Sequence, residues 1–249
     1  MNDAQSIVNE HGQWKLFSLF GIENNFFNLS SSIIIATWIA MAGIVISAVI
    51  ARFILQQNTG LPRYIVITFF KNFMHFCEQS LGFFHYRHFS FITALFLFIL
   101  YCNLMGIIPF AHEPTADLNT TLALGILSFF YINLSSIEKH GIKKYIAGYF
   151  KPFVFMLPLT ISEKFSSIIS ISFRLFGNLL GGSVIMNIYT TSFGVMPTAW
   201  YLWIIPLIGS LGSIIVYGFF GIFEGVIQAF VFTTLSLTFL SMELKEGGH

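Results

Sequence analysis

Long apolar runs alternate with short polar segments along the chain. The run 31–55 has no charged residue before Arg52. An α-helix needs about 20 apolar residues to cross the hydrocarbon core of a bilayer. Similar runs occupy 89–111 and 118–137. The pattern therefore predicts three transmembrane helices in the front half of the chain.

The segment 61–88 has a different, two-sided pattern. Its polar side carries Lys71, Asn72, His75, Glu78 and Gln79, and its apolar side is mostly aromatic, with Phe69, Phe70, Phe73, Phe76 and Leu81. This pattern is typical of an amphipathic helix that lies along a membrane surface. The first 30 residues lack the basic start and cleavage site of a signal peptide, and they are expected to form an N-terminal surface segment.

Two longer helices are predicted in the last hundred residues, over 152–192 and 199–243, after a polar loop at 138–151. Their apolar stretches would give helices of roughly 51 and 66 Å, although the hydrocarbon core is only ~30 Å thick. We expect both helices to be strongly tilted within the membrane. The alternative is a break at Pro206 or at the nearby glycines.

Composition excludes a soluble protein. Hydrophobic residues make up 55% of the 249 residues and charged residues 9%, with a mean hydropathy of +0.78. A soluble domain has about 25% charged residues. The formal net charge of +1 offers no basic surface for nucleic acid. We predict an all-α membrane protein with about five membrane helices and an amphipathic surface helix, in which Cys77 and Cys102 are packing residues.

Basic residues predict the orientation, because cytoplasmic connections are enriched in Lys and Arg. Only Lys15 falls on the other side of the predicted topology. The nine that share one side are Arg52, Arg63, Lys71, Arg87, Lys139, Lys143, Lys144, Lys151 and Lys245. The amino terminus is therefore expected outside and the carboxyl terminus in the cytoplasm.

Arg174 is the least expected residue in these helices. Its nearest charged neighbours in the sequence are Lys164 and Glu224, so it is predicted near the bilayer centre. A charged side chain there costs at least about 2.5–3.5 kcal/mol, and an arginine cannot lose its charge. One interpretation is a permanent ion pair with Glu163 or Glu224. The other is a functional guanidinium whose partner lies outside this chain.

Helical spacing groups other polar residues with Arg174. A single stripe, called the polar stripe below, consists of Glu163, Ser167, Ser170, Arg174 and Asn178. For the two serines, hydrogen bonding to the helix backbone is an equal alternative. Gly177, Gly181 and Gly182 follow, and they suit either a close approach of outside helices or packing within the chain.

Further polar residues interrupt the other apolar segments. Glu224 and Gln228 are one turn apart among phenylalanines, where a carboxylate is costly unless it is paired or protonated. Asn103 lies in the second predicted span. Asp117 and Asn119 open the third, where helix capping is the alternative to a functional role.

Taken together, these residues resemble subunit a of the F-type ATP synthases, the membrane stator that faces a rotating c-ring. The resemblance covers most of the chain and rests on four motifs in the family order. The motifs are Asn103–Pro109, Pro114–Asn119, Ser172–Asn178 and Ile227–Phe232. It favours a bacterial inner membrane over a thylakoid or mitochondrial inner membrane.

The resemblance also implies roles for the site residues. Arg174 matches the essential arginine of the family, and Asn178 and Gln228 match polar positions near it. Asn103, Asp117 and Asn119 match positions that line the outer aqueous half-channel. Glu163 matches an acid near the inner half-channel. The implied partners are the c-ring, peripheral stalk subunit b, the other synthase subunits and the lipid bilayer.

Two positions depart from the family. Members of the family often have an acid or a histidine nine residues after the arginine, where this chain has Ser183. The usual partner of that acid or histidine lies seven residues before the glutamine, where this chain has Gly221. We expect Glu224 to serve as the ionisable group of the channel instead. The resemblance implies no cofactor and no metal. It also implies a non-catalytic subunit, and the lack of a phosphate-binding loop in the sequence fits this. The competing hypotheses are a self-contained ion transporter or channel and, less favoured, a membrane hydrolase.

Overall fold

The computed structural model of the chain describes residues 13–14, 29–57, 60–107, 114–148, 155, 157–194, 212 and 218–246. Most of these residues are helical, and a two-residue strand β1 (Gln13–Trp14) pairs antiparallel with β2 (Leu29–Ser30). The rest of the predicted N-terminal surface segment, 1–30, lies outside the described residues.

Seven α-helices are described. They are α1 (Ser31–Gln56), α2 (Leu61–Leu81), α3 (Tyr86–Leu104), α4 (Leu118–His140), α5 (Ile142–Gly148), α6 (Leu157–Gly194) and α7 (Gly225–Glu246). Five of them contain a stretch long and apolar enough to cross a membrane. These stretches are Ser32–Gln56, Tyr86–Leu104, Leu118–His140, Ile161–Tyr189 and Gly221–Lys245. The prediction of an all-α membrane protein with about five membrane helices is confirmed.

Helix ends follow the local sequence. Pro62 stands in the first turn of α2, where its missing N–H costs nothing. Gly82 ends the same helix at φ 78°, and its N–H donates to the carbonyl of Glu78. Gly141 ends α4 at φ 82° with a similar bond to Ile137. Both glycines have a positive φ, which a glycine adopts without strain, and Gly82 is a left-handed helix cap.

The amphipathic pattern of α2 matches its burial. Phe73, Cys77 and Leu81 recur every four residues and are buried. The residues Lys71, Asn72, His75, Glu78 and Gln79 are all exposed. At the end of α2, the carbonyl of Ser80 accepts hydrogen bonds from Ser241 and Lys245. This helix therefore packs along α7 with its polar side turned outward.

One sequence prediction is wrong. The segment 138–151 is not simply a polar loop, because α4 continues to His140 and α5 follows it. The predicted helix 199–243 is described only in part. Most of 199–217 lies outside the described residues, and Gly218–Glu224 is a π-helical segment that continues into α7. This wider turn contains two glycines and ends directly before Gly225, and π-helical turns occur mostly as such short insertions.

Contacts between helix ends define two ends of the bundle. At one, here called the basic end, Arg87 at the start of α3 pairs with Glu138 near the end of α4. Lys139 donates to the carbonyl of Leu244 at 3.0 Å, so the end of α7 meets the same region. A cation at the C-terminus of a helix is favourable for the helix dipole. At the opposite end, Asn103 at the end of α3 contacts Gly225 at the start of α7.

The core lies where α3, α4 and α7 meet, with α2 and α6 packed against them. Helix α1 joins through small side chains, since Ala36 and Ala40 are buried against Cys102 and Met105. Small residues allow membrane helices to approach closely. The outer side of α1 is apolar, with Trp38 and Phe53 well exposed. Such a surface suits contact with lipid, in line with the membrane-spanning assignment.

Candidate functional site

Two polar contacts join the antiparallel helices α6 and α7. Near the basic end, Nζ of Lys164 lies 2.7 Å from Oε1 of Glu243. Further along, Nδ2 of Asn178 donates a 2.6 Å hydrogen bond to Oε1 of Gln228. The two contacts are separated by 14 residues on α6 and 15 on α7. At 1.5 Å per residue, they lie about 21 Å apart along the helices.

Arg174 lies between these contacts, one turn before Asn178, and its side chain is exposed. Within the described part of the chain it has no ion pair and no hydrogen bond from its side chain. Glu163 and Glu224 likewise form no ion pair there. The alternative of a permanent internal pair for Arg174 therefore has no support from the described residues. A guanidinium on the outer surface of a membrane helix needs a partner from elsewhere.

The face of α6 that carries Arg174 is open. Ser170, Arg174 and Asn178 are exposed, whereas Ser172 and Leu175 on the other side are buried. A Cβ added at Gly177 or Gly181 would meet no described atom within 4 Å. Internal packing therefore does not account for these two glycines. It does apply to Gly182, which is buried.

The hydroxyl of Ser167 is hydrogen-bonded to the backbone of its own helix, which was the alternative to a functional role. Its Oγ donates to the backbone carbonyl of Glu163 at 2.9 Å and contacts that of Lys164 at 3.2 Å. Ser183 behaves similarly, with Oγ donating to the carbonyl of Leu180 at 2.9 Å. Such bonds are common for hydroxyls in membrane helices, and they leave the oxygen able to accept another hydrogen bond.

A cavity of about 120 Å³ lies between α4, α6 and α7 at the basic end. We call it the inner cavity. Its polar lining includes Ser128, Asn133, Glu163, Lys164, Ser167, Ser236 and Glu243. The hydroxyls of Ser128 and Ser236 are buried and have no hydrogen-bond partner within the described residues. The cavity is polar and large enough for several water molecules, which are the usual partners of such buried hydroxyls.

Helices α4 and α6 cross closely beside the inner cavity. A Cβ at Gly125 would collide with Oγ of Ser172 and lie 3.3 Å from Cγ2 of Ile168. Gly125 itself lines the cavity. A glycine here lets the two helices approach while leaving polar space beside them.

A second polar group lies at the opposite end of the bundle. The side chain of Asn103 is completely buried, and its Nδ2 donates to the carbonyl of Gly225 at 3.0 Å. Its Oδ1 accepts a 2.8 Å bond from Oγ1 of Thr115, in the short 3₁₀ turn Pro114–Ala116. Asn103 therefore joins α3, this turn and the start of α7. Its described contacts are structural, and Thr115 was not singled out by the sequence.

The remaining predicted residues lie around this group. Asp117 directly precedes α4, yet its side chain makes no capping hydrogen bond, and its Oδ2 is buried with no described partner. The capping alternative is therefore not supported for Asp117. Asn119 lines a groove between α1 and α4. Glu224 ends the π-helical segment next to Gly225, so Asn103 brings the start of α4 close to the segment that carries Glu224.

Sequence reasoning missed the polar cluster at the mouth of the inner cavity. Lys164 contacts Glu243, and it also lies 3.5 Å from both Oδ1 of Asn133 and the hydroxyl of Tyr145. Tyr145 also donates to Oδ1 of Asn133. Asn133 could have been noticed in the sequence, because it is an amide side chain within an apolar span. Nothing in the spacing links Lys164 to Glu243, because 79 residues separate them.

No group of three or more His, Cys, Asp or Glu side chains suited to a metal ion occurs among the residues that the structure describes. The two cysteines are free and buried, as predicted for packing residues. The arrangement is instead one of single ionisable groups, amides and hydroxyls distributed along α6 and α7. Such groups bind and pass protons or ions inside a membrane protein.

The fold and these groups define a multi-pass integral membrane protein whose polar residues converge on two membrane helices. Comparison with known proteins identifies its family. The family model described as ATP synthase A chain matches residues 34–241. The chain therefore belongs to the F-type ATP synthase subunit a family, and the resemblance seen in the sequence is confirmed. It is the proton-translocating membrane subunit that works within this complex.

Curated relatives agree over most of their length. The chain is 29% identical to ATP synthase subunit a 2 of Acaryochloris marina, covering 95% of this chain and 91% of the relative. It is 31% identical to ATP synthase subunit a of Staphylococcus epidermidis, covering 89% and 92%. It is 30% identical to ATP synthase subunit a of Moorella thermoacetica, covering 84% of this chain and 89% of the relative.

Proposed function

We propose that this chain forms two offset half-channels and holds Arg174 between them, facing the c-ring of the synthase. In this proposal a proton reaches the ring through one half-channel and leaves through the other after the ring has turned. The chain itself is non-catalytic, and ATP chemistry belongs to other subunits. Its further partners are peripheral stalk subunit b, the remaining subunits and the lipid bilayer.

The observation that carries the proposal is the state of Arg174. Its guanidinium is exposed and unpaired within the described part of the chain, although it lies well inside a membrane span. A carboxylate on a neighbouring ring helix would supply the missing partner. The open surface at Gly177 and Gly181 on the same helix supports close contact with such helices.

The inner cavity supports an inner half-channel. It reaches the basic end of the bundle, and Glu163 and Ser167 of the polar stripe line it. The unpartnered hydroxyls of Ser128 and Ser236 provide positions for water along its wall. From Glu163 the polar stripe continues along α6 to Arg174, about 16 Å away.

Groups at the opposite end support an outer half-channel. The buried Oδ2 of Asp117 has no described partner, and Glu224 is only partly buried. Asn119 is the second residue of α4, and Ser183 on α6 is exposed. Gln228 and Asn178 form the step from Glu224 toward Arg174. In this assignment, Asn103 holds the outer region together through the backbone of Gly225.

Electrostatics explain how this arrangement couples proton flow to rotation. A ring carboxylate is neutral while it faces lipid, because an unpaired charge there is very costly. Near Arg174 the positive charge favours the deprotonated form, so the ring releases its proton on one side and can bind another on the next. The same charge repels a free proton and prevents direct leakage between the half-channels.

The basic end is assigned to the cytoplasm by the excess of Lys and Arg there. With this orientation the amino terminus is outside and the inner cavity opens toward the cytoplasm. The bacterial relatives support a bacterial cell membrane rather than a thylakoid or mitochondrial one.

The test is ATP-driven acidification of inverted membrane vesicles that contain the assembled complex. We expect Arg174→Ala and Arg174→Lys to abolish acidification while subunit content stays unchanged. The matched control is Arg52→Ala, which removes an exposed arginine near the end of α1 and is expected to leave acidification intact. Normal acidification in both Arg174 variants would refute the proposed role of the guanidinium.

A further inference from the structure

The ion pair between Lys164 and Glu243 lies at the mouth of the inner cavity. Both residues line the cavity, and their side chains keep exposures of 19% and 22%. They are thus neither fully buried nor free on the surface. A charge in this position acts on any ion that passes between the cytoplasm and the cavity, because screening by water is incomplete.

Lys164 is fixed in this position by more than its ion pair. Its ammonium has three N–H donors, and three acceptors surround it: Glu243 at 2.7 Å, Asn133 at 3.5 Å and Tyr145 at 3.5 Å. The ammonium also lies 5.0 Å from the centre of the Tyr145 ring. The contacts with Asn133 and Tyr145 do not involve Glu243. The positive charge would therefore stay at the mouth if the carboxylate were removed.

We propose that Glu243 neutralises Lys164 at the mouth of the inner cavity and thereby sets the electrostatic barrier for protons that cross it. This inference rests on the proposed function of the cavity as the inner half-channel. A fixed cation beside a narrow polar passage repels protons, as charged residues do in other selective pores. Glu243 cancels this repulsion, and it acts on the proton path through Lys164 rather than on the ring.

Charge balance gives a distinct signature. Glu163 also lines the cavity but forms no described ion pair, so its charge is a constant background in every variant. Replacing Glu243 with Gln removes the negative partner of Lys164, makes the mouth more positive and slows proton flow. Replacing Lys164 with Gln makes the mouth more negative, which attracts protons and does not slow the flow. Replacing both restores the original net charge. A purely structural role for the pair would not produce this order, because each replacement breaks the same contact.

The experiment measures the initial rate of ATP-driven acidification in inverted vesicles, normalised to the amount of assembled complex. We expect E243Q to be about two- to tenfold slower than the unmodified complex, the range for one charge several ångströms from the proton path. K164Q and the double variant K164Q/E243Q should be at least as fast as the unmodified complex.

The chain offers a matched control in its other described ion pair, Arg87 with Glu138. This pair lies at the same end of the bundle but does not line the inner cavity. E138Q removes one carboxylate from the same membrane face and is expected to leave the rate unchanged. Slowing by E138Q equal to that of E243Q would indicate a general surface-charge effect and overturn the inference.

Two other results would also overturn it: a normal rate in E243Q, or no recovery in the double variant. If E243Q does not assemble, the test rests on K164Q, and a rate below that of the unmodified complex contradicts the charge argument. Failure here is separable from failure of the proposed function. The latter requires Arg174→Ala to acidify normally, whereas this inference concerns rate differences in complexes that retain Arg174.

Discussion

Asn178 on α6 donates a 2.6 Å hydrogen bond to Gln228 on α7, one helical turn beyond Arg174. Gln228 is only 2% exposed, and its Nε2 has no hydrogen-bond partner among the described residues. This bond holds the two helices together next to the exposed guanidinium. It also leaves both N–H donors on Nε2 of Gln228 without a described partner.

Breaking this bond from one side should destabilise the subunit. Gln228→Met keeps the length of the side chain but removes the acceptor for Asn178. Because Asn178 is exposed, the loss is that of one hydrogen bond, about 0.5–1.5 kcal/mol. We therefore expect the detergent-solubilised complex to lose this subunit at a lower temperature, by several degrees.

A double-mutant cycle provides the control for this prediction. In Asn178→Leu/Gln228→Met both polar partners are gone, and much of the thermal stability should return. Proton pumping by this double variant should nevertheless be lower than that of the unmodified complex, because no amide remains beside Arg174. Equal stability of the single variant and the unmodified complex would show that the hydrogen bond contributes little.

Gly125 on α4 and Gly177 on α6 should respond differently to substitution. At Gly125 an added methyl group collides with Ser172 between α4 and α6, and overpacking of this kind costs about 1–3 kcal/mol. We expect Gly125→Ala to lower the amount of this subunit in purified complexes. Gly177 has open space around it within the described part of the chain.

Substitution at Gly177 should therefore leave the fold intact. Gly177→Leu is expected to give normal subunit content but several-fold slower ATP-driven pumping, because the larger side chain would meet a ring helix. Pumping at the normal rate would show that the ring does not approach α6 at this position. Together the two glycine variants separate packing within the chain from contact with a partner.

The sequence predicted the helices well because apolar length and charge placement are local properties. The first span, the start of α4 at Leu118 and the buried side of α2 can all be read from short windows of sequence. The π-helical turn at Gly218–Glu224 was not predictable in this way. An extra residue in a turn leaves no periodic signal, and the surrounding glycines are equally compatible with a regular tilted helix.

The candidate site was predicted in part. Arg174 and Asn178 are separated by one helical turn, so their common face followed from spacing alone. The pairing of Lys164 with Glu243 depends instead on how α6 packs against α7, which no local pattern encodes. The contacts of Asn103 were unpredictable for the same reason. The sequence shows Asn103 as a polar residue in an apolar span, but it does not show that Thr115 and Gly225 are its partners.

Burial predicts low reactivity for Cys77. The thiol lies on the side of α2 that faces the core, and this burial raises its pKa to about 11. Only the thiolate reacts quickly with maleimides, so labelling of Cys77 at neutral pH should be slow and should rise as the pH approaches 11. Because the folded state disfavours the thiolate, its contribution to stability is complete below pH 9 and decreases above it.

A cysteine on the other face of the same helix provides the comparison. Gln79→Cys, in a Cys77→Ala background, is on the exposed side of α2 and should label at least about tenfold faster at pH 7.5. Mass spectrometry of the isolated subunit measures both extents of labelling. Equal labelling of Cys77 and the introduced cysteine would mean that α2 does not pack against the core through this face.

Glu224 provides the most specific test of the outer half-channel in this chain. It stands at the junction between the π-helical segment and α7, one turn before Gln228. The resemblance in sequence implies ionisable groups at the positions of Ser183 and Gly221, which carry none here. If Glu224 carries protons in their place, Glu224→Gln should reduce ATP-driven acidification several-fold, and Glu224→Asp should retain more activity because it keeps a carboxyl group. Glu78→Gln, on the exposed side of α2, removes a carboxylate away from the path and should change nothing. Undiminished flux in Glu224→Gln would exclude Glu224 as the replacement. Among the described residues of this region it would leave Asp117, whose buried Oδ2 has no described partner, as the next acid to test.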